Sequence, residues 1–168
     1  MASMRVIAID PGPTQSALVV WDDYQEKLGQ VWYKDNNEIV AILKSWRTLE
    51  KNCTLVIEKM QSFGMAVGAE VFNTCIWIGR FMEAYGADNT SLITRIEVKM
   101  HHCHTAKAKD GNVRQAIIDR FGGKEKAIGK KHSPGPLHGI SGDKWSALAI
   151  ALTYWDTHQG KQPRRKRA

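Results

Sequence analysis

Residues 5–33 read RVIAIDPGPTQSALVVWDDYQEKLGQVWY, and their patterning decides the fold. Residues 5–9 alternate and are β-branched, as a strand requires, and Asp10-Pro11-Gly12-Pro13 stops the run abruptly. A second strand is expected over residues 16–21 and a third over 29–33, with a turn beginning at Asp22-Asp23. Three strands joined by such short connections make an antiparallel meander.

Beyond the meander the periodicity changes. Asn36 is a candidate N-cap, and Ile39, Ile42, Leu43 and Trp46 then fall on one helical face. Residues 54–57 form a short apolar run ending at Glu58, which reads as a buried strand. A glycine-bearing connection over 61–68 leads to a second helix over 69–85, and residues 91–96 read as a fifth strand. Val113, Ile117, Ile118 and Phe121 mark a further helix, residues 122–142 read as a loop rich in glycine and lysine, and residues 143–154 as a final amphipathic helix. A meander followed by alternating helix and strand predicts an α/β fold: a mixed five-stranded sheet with helices on both faces.

The 168 residues suit one domain, expected over residues 4–158 and followed by a basic tail over 159–168. No apolar run approaches the roughly 20 residues of a membrane helix, no secretory leader is read, and no membrane partner is expected. Lys and Arg number 24 against 17 Asp and Glu, a net +7 that favours a polyanion such as nucleic acid. Five of those cations, Lys161, Arg164, Arg165, Lys166 and Arg167, belong to the tail, and without them the net charge is only +2. Cys53, Cys75 and Cys103 are odd in number and widely spaced, each in or beside an apolar stretch, which predicts buried thiols in a reducing cytoplasm rather than a disulfide framework.

The chemistry is expected from Asp10, Glu58 and Asp143, which close the first strand, close the fourth and open the last helix. Asp10 and Asp143 have structural explanations of their own, as a turn residue and an N-cap, but Glu58 follows Leu55-Val56-Ile57 at the end of a buried strand, where an unpaired carboxylate is costly. If the two apolar strands are neighbours, however, their carboxylates meet at one sheet end, and a helix packed there brings the third. Three such carboxylates repel and call for a cation. Oxygen-only ligands suit Mg²⁺ or Mn²⁺, and two such ions can activate a water and stabilise the leaving oxygen of a phosphodiester.

At these residues the sequence resembles the RuvC-type Holliday junction resolvases, members of the RNase H-like superfamily, and their small phage members in particular. Ile7-Ala8-Ile9-Asp10-Pro11-Gly12 resembles the family's first motif, Val56-Ile57-Glu58-Lys59 its second, and residues 143–151, DKWSALAIA, its last helix. The resemblance implies an RNase H-like fold and a homodimeric, metal-dependent nuclease. It would cut branched DNA in recombination and repair, in the cytoplasm of a bacterial or phage-infected cell. Asp10, Glu58 and Asp143 would be the metal ligands. Ser146 stands where the family usually carries a further acid, and His138 is a candidate to replace it. The stretch after the second motif implies that Phe63 enters the junction centre, and Val98-Lys99 resembles a family segment carrying a basic residue near the scissile phosphate. Lys107, Lys109 and Arg114 are further candidate phosphate contacts. His101, His102, Cys103 and His104 lack the second pair that a zinc site needs, and zinc is not expected. Three other readings compete: an RNase H-like nuclease for structured RNA, a non-catalytic basic DNA-binding module, and an actin-like ATPase or sugar kinase, which needs two such domains and far more chain.

Overall fold

The computed structural model describes residues 5–22, 27–49 and 52–159. The expected basic tail, from residue 160 onward, lies outside the described residues, as do residues 1–4. The meander forms as β1 (Arg5–Asp10), β2 (Gln15–Asp22) and β3 (Lys27–Asp35). It is followed by α1 (Asn36–Leu49), β4 (Cys53–Lys59), α2 (Ala69–Tyr85), a single 3-10 turn (Ala87–Asn89) and β5 (Thr90–Thr94). Then come α3 (Arg95–Cys103), α4 (Asp110–Arg120), α5 (Lys124–Ala127), a small hairpin of β6 (Gly129–Lys130) and β7 (Ser133–Pro134), and α6 (Lys144–Gln159).

The main sheet has the order β3-β2-β1-β4-β5. The β1–β2 and β2–β3 pairs are antiparallel, and the β1–β4 and β4–β5 pairs parallel. This is the expected mixed sheet, with β1 at its centre and β4 beside it. Strand alternation sorts the side chains into two cores. Val6, Ala8, Ala17, Val19, Trp21 and Val56 pack with the buried residues of α4 and α6 on one face. Ile7, Ile9, Leu18, Val20, Leu55 and Ile57 pack with α1 and α2 on the other. Because β1 is covered on both faces, four consecutive residues, Val6 to Ile9, are buried, which is why it reads as a continuous apolar run.

Five local expectations change. The fifth strand ends at Thr94 rather than at 96, and α3 starts at once. Thr94 accepts from the Glu97 amide while the Glu97 carboxylate accepts from the Thr94 amide, a reciprocal cap that turns the chain from strand to helix. The region 122–142 contains α5 and the β6–β7 hairpin rather than loop alone, and the last helix continues to Gln159. Asn36 is the buried first residue of α1, and the Asn37 amide donates instead to the Asp35 carboxylate. Finally, Cys75 is exposed, while Cys53 and Cys103 are half-buried. The apolar neighbours that suggested a buried Cys75 are themselves outward: Phe72 and Ile76 are 60% and 61% exposed.

Candidate active site

Parity along the strands places the first two acids. Asp10 lies two residues after Ala8 and Glu58 two after Val56, so both side chains belong to the face covered by α6. Ile9 pairs with Ile57 in the parallel register, so the acids occupy the next rung on adjacent central strands. Asp143 immediately precedes α6, and its carbonyl accepts the first helical bond, from the Ala147 amide. Ala147, Leu148 and Ile150 anchor that helix in the core shared with β1, which brings Asp143 to the sheet end where the strands deliver their carboxylates.

The turn after Asp10 is held from below. The Gly12 amide donates to Ser16 Oγ at 3.0 Å, Ser16 Oγ donates to Asn36 Oδ1 at 2.6 Å, and Asn36 Nδ2 donates back to the Gly12 carbonyl at 2.9 Å. A Cβ at Gly12 would lie 2.3 Å from the Gln15 carbonyl oxygen, so only glycine lets the chain double back here.

A cleft of about 320 Å³ opens beside the acids, and Glu58, Arg95, Lys99, Asp110, Arg114, Asp143 and Ser146 are among the residues lining it. Burial pushes the Asp10 carboxyl up to about 8; the charges of Glu58 and Asp143 add to the rise and Arg95 opposes it. Burial also raises Glu58, against the pull of Arg95 and Lys99. Both neighbouring acids are thus shifted toward holding their protons, because ionising carboxyls in so buried a place without a cation is costly.

Arg95 and Asp110 form a pair that no motif in the sequence marks. The Arg95 guanidinium donates to both oxygens of Asp110 at 2.5 Å and lies 3.7 Å from Glu58 Oε1. Arg95 is the first residue of α3 and Asp110 the first of α4, so the pair ties two helix starts to the end of β4. Lys99 follows Arg95 by one helical turn and lines the same cleft. The Thr94-x-x-Glu97 cap is a visible signal for a helix starting at Arg95; nothing local points to Asp110.

The other expected residues fall in distinct places. Ser146 lines the cleft one turn into α6, where it offers a hydroxyl. His138 is exposed and its Nδ1 donates to the Ile128 carbonyl at 3.0 Å, on the segment leading to Asp143. Arg114 lies over the Trp145 ring at the cleft wall, 4.9 Å from its centre. Lys109 precedes α4, where its amide donates to Asn112 Oδ1, and Lys107 is exposed before it. Phe63 is 67% exposed and does not fold back on α2. His101 bonds Asp156 at 2.7 Å and His102 the Ala149 carbonyl at 3.1 Å, so both rings brace α3 against α6.

Among the described residues, no three His, Cys, Asp or Glu side chains stand close enough together to close on a metal ion. The donor chemistry at the sheet end nevertheless fits a hard cation. It consists of carboxylate oxygens, and burial opposes the ionisation of both Asp10 and Glu58, a cost that a bound divalent ion would offset.

No protein-family model matches the chain, and no curated protein matches it. Solved structures do. A structure of RuvC from Thermus thermophilus matches with a TM-score of 0.67 at 17% identity, covering 94% of this chain and 97% of that one. The chain has the RuvC fold. A second structure, of T. thermophilus RuvC in complex with a Holliday junction substrate, matches with a TM-score of 0.66 at 18% identity, covering 94% of this chain and 96% of that one. The architecture is therefore the RNase H-like α/β fold that the order of strands and helices predicts. At this identity the likeness to RuvC is one of fold, and chemistry has to be argued from the side chains.

Proposed function

We propose that this chain is a divalent-metal-dependent endonuclease that resolves four-way DNA junctions by paired phosphodiester hydrolysis. The observation carrying this reading is the convergence of Asp10, Glu58 and Asp143 from β1, β4 and the start of α6 on one end of a RuvC-fold sheet. Asp10, Glu58 and Asp143 would hold Mg²⁺ or Mn²⁺, two ions in the full arrangement, with His138 as a further candidate ligand. When bound, such ions supply an activated water and stabilise the leaving oxygen.

The chain's own residues do the rest. Lys99 and Arg95 present cations in the cleft at the acids and would orient the scissile phosphate. Arg114, Lys109 and Lys107 extend the cationic rim and would contact flanking phosphates. Phe63, exposed in the segment between β4 and α2, would stack into the opened crossover. The outward apolar residues Phe72 and Ile76 of α2 would pair with their counterparts in a second copy, since a junction needs two matched cuts. This activity belongs to recombination and repair in the cytoplasm of a bacterial or phage-infected cell, and among the described residues no helix is long and apolar enough to cross a membrane.

The test is cleavage of an end-labelled four-way junction with Mg²⁺ or Mn²⁺, beside a matched linear duplex and a structured RNA. Symmetric paired cuts in the junction alone support the reading. Cutting of the RNA in preference to the junction makes the chain a ribonuclease of this fold, and binding without cutting at any metal concentration makes it a DNA-binding module.

A further inference from the structure

The cations of the folded body are unevenly placed. Without its basic tail the chain carries a net +2, yet residues 124–131, KEKAIGKK, hold four lysines against one glutamate. The remainder is therefore slightly negative. This segment therefore holds a concentrated excess of cations in a body that is otherwise close to neutral, which makes it a strong local attractor for a polyanion. Lys124, Lys126, Lys130 and Lys131 are all exposed, and among the described residues none of them forms a salt bridge.

The segment is rigidly built. The Gly135 amide donates to the Ile128 carbonyl at 2.8 Å and the Leu137 amide to the Ala127 carbonyl at 2.8 Å, closing the hairpin on α5. Gly129 sits at φ 67°, and a Cβ there would lie 2.3 Å from the Ser133 carbonyl oxygen. Buried Ala127, Leu137 and Ile140 root the segment in the core shared with α4 and α6. The Ile140 carbonyl accepts from the Trp145 indole at 3.0 Å, two residues past Asp143. The lysines and the acid at the start of α6 are therefore parts of one stiff piece.

We propose that α5 and the β6–β7 hairpin form a clamp for the sugar-phosphate backbone of a duplex DNA arm, held in fixed relation to the acids. The proposal rests on the nuclease reading above and deepens it. Lysines offer donors and no acceptors, so they read backbone charge rather than base identity. A rigid base reduces the ordering cost of binding. A membrane surface fits less well, because none of the large exposed apolar residues lies in this segment and an interfacial element needs an apolar face.

The experiment uses the full chain, with Lys130→Ala/Lys131→Ala and Lys130→Glu/Lys131→Glu variants. Fluorescence anisotropy follows a four-way junction and a linear duplex over a range of salt, in Ca²⁺ to prevent cutting. Hydroxyl-radical footprinting maps the protected backbone. The alanine pair is expected to weaken binding to both DNAs about three- to tenfold, with a salt slope shallower by about 0.9 for each phosphate no longer neutralised. The glutamate pair is expected to weaken it further, and both are expected to lose footprint from one arm segment while melting like wild type. Unchanged affinity, slope and footprint in a wild-type chain that binds the junction would overturn the clamp alone. A wild-type chain that ignores junction DNA would overturn the nuclease reading and the clamp together.

Discussion

At the scale of single residues, the acids at the sheet end carry the sharpest expectations. Asp10→Asn, Glu58→Gln and Asp143→Asn should each slow junction cutting by about 100-fold or more, the scale on which losing one transition-state-stabilising group is felt. Junction binding should stay largely intact, because these groups would face metal rather than phosphate. Near-normal cutting at saturating metal by any one of them would remove that residue from the ligand set. A second expectation concerns pH. The unfolded chain releases the Asp10 proton near 3.8, whereas the folded chain holds it to about 8. The stability that comes from burying the neutral acid is complete below the lower value and is lost as pH rises through the upper one. In EDTA the protein should therefore melt at falling temperature from pH 4 to pH 8, and Asp10→Asn should flatten that trend in a series of thermal scans. Equal slopes in the two proteins would mean that Asp10 is ionised at neutral pH.

At the scale of elements, the turn after β1 and the segment after β4 position what the strands deliver. Gly12→Ala forces a Cβ against the Gln15 carbonyl and strains the Gly12–Ser16–Asn36 bonds beneath Asp10. It should cost about 1–3 kcal/mol, the usual range for overpacking. That would lower the melting temperature by about 2–4 °C per kcal/mol at this chain length. A Gly12→Ala protein that melts as wild type would show that the loop relaxes freely. Phe63→Ala should slow cutting of a fully paired junction more than that of an already open one, and leave melting unchanged, since the ring is mostly exposed. Equal slowing on both substrates would count against insertion into the crossover. These elements also show what the sequence can reveal. The strands β1 and β4 are legible because both faces of the central sheet are covered, which writes their burial as continuous apolar runs ending in an acid. The start of α3 is masked although Thr94-x-x-Glu97 is a cap signature, because apolar Ile93 and Ile96 prolong the strand pattern across it. The β6–β7 hairpin has two residues per strand, too few to show any periodicity. The Arg95–Asp110 pair joins helix starts fifteen residues apart, a proximity set by packing and absent from local pattern.

At the scale of the whole molecule, the outward face of α2 is where, on the proposed reading, two copies would meet. Phe72, Cys75 and Ile76 are exposed on that helix, and Phe63 and Met65 on the segment leading to it. If two copies meet there, light scattering at micromolar concentration should report a dimer, and alkylation of Cys75 should slow as protein concentration rises. A monomer with full junction activity at that concentration would remove the pairing. The order in which the acids occur along the chain has a consequence for synthesis. Asp10 and Glu58 come from the sheet centre, but Asp143 arrives only with α6, the last element of the described fold. A polypeptide interrupted anywhere before α6 lacks both the third acid and the helix that covers this face of the sheet. On the proposed reading, a nascent or broken chain is harmless to the DNA around it, and cutting power appears only once the final helix has docked.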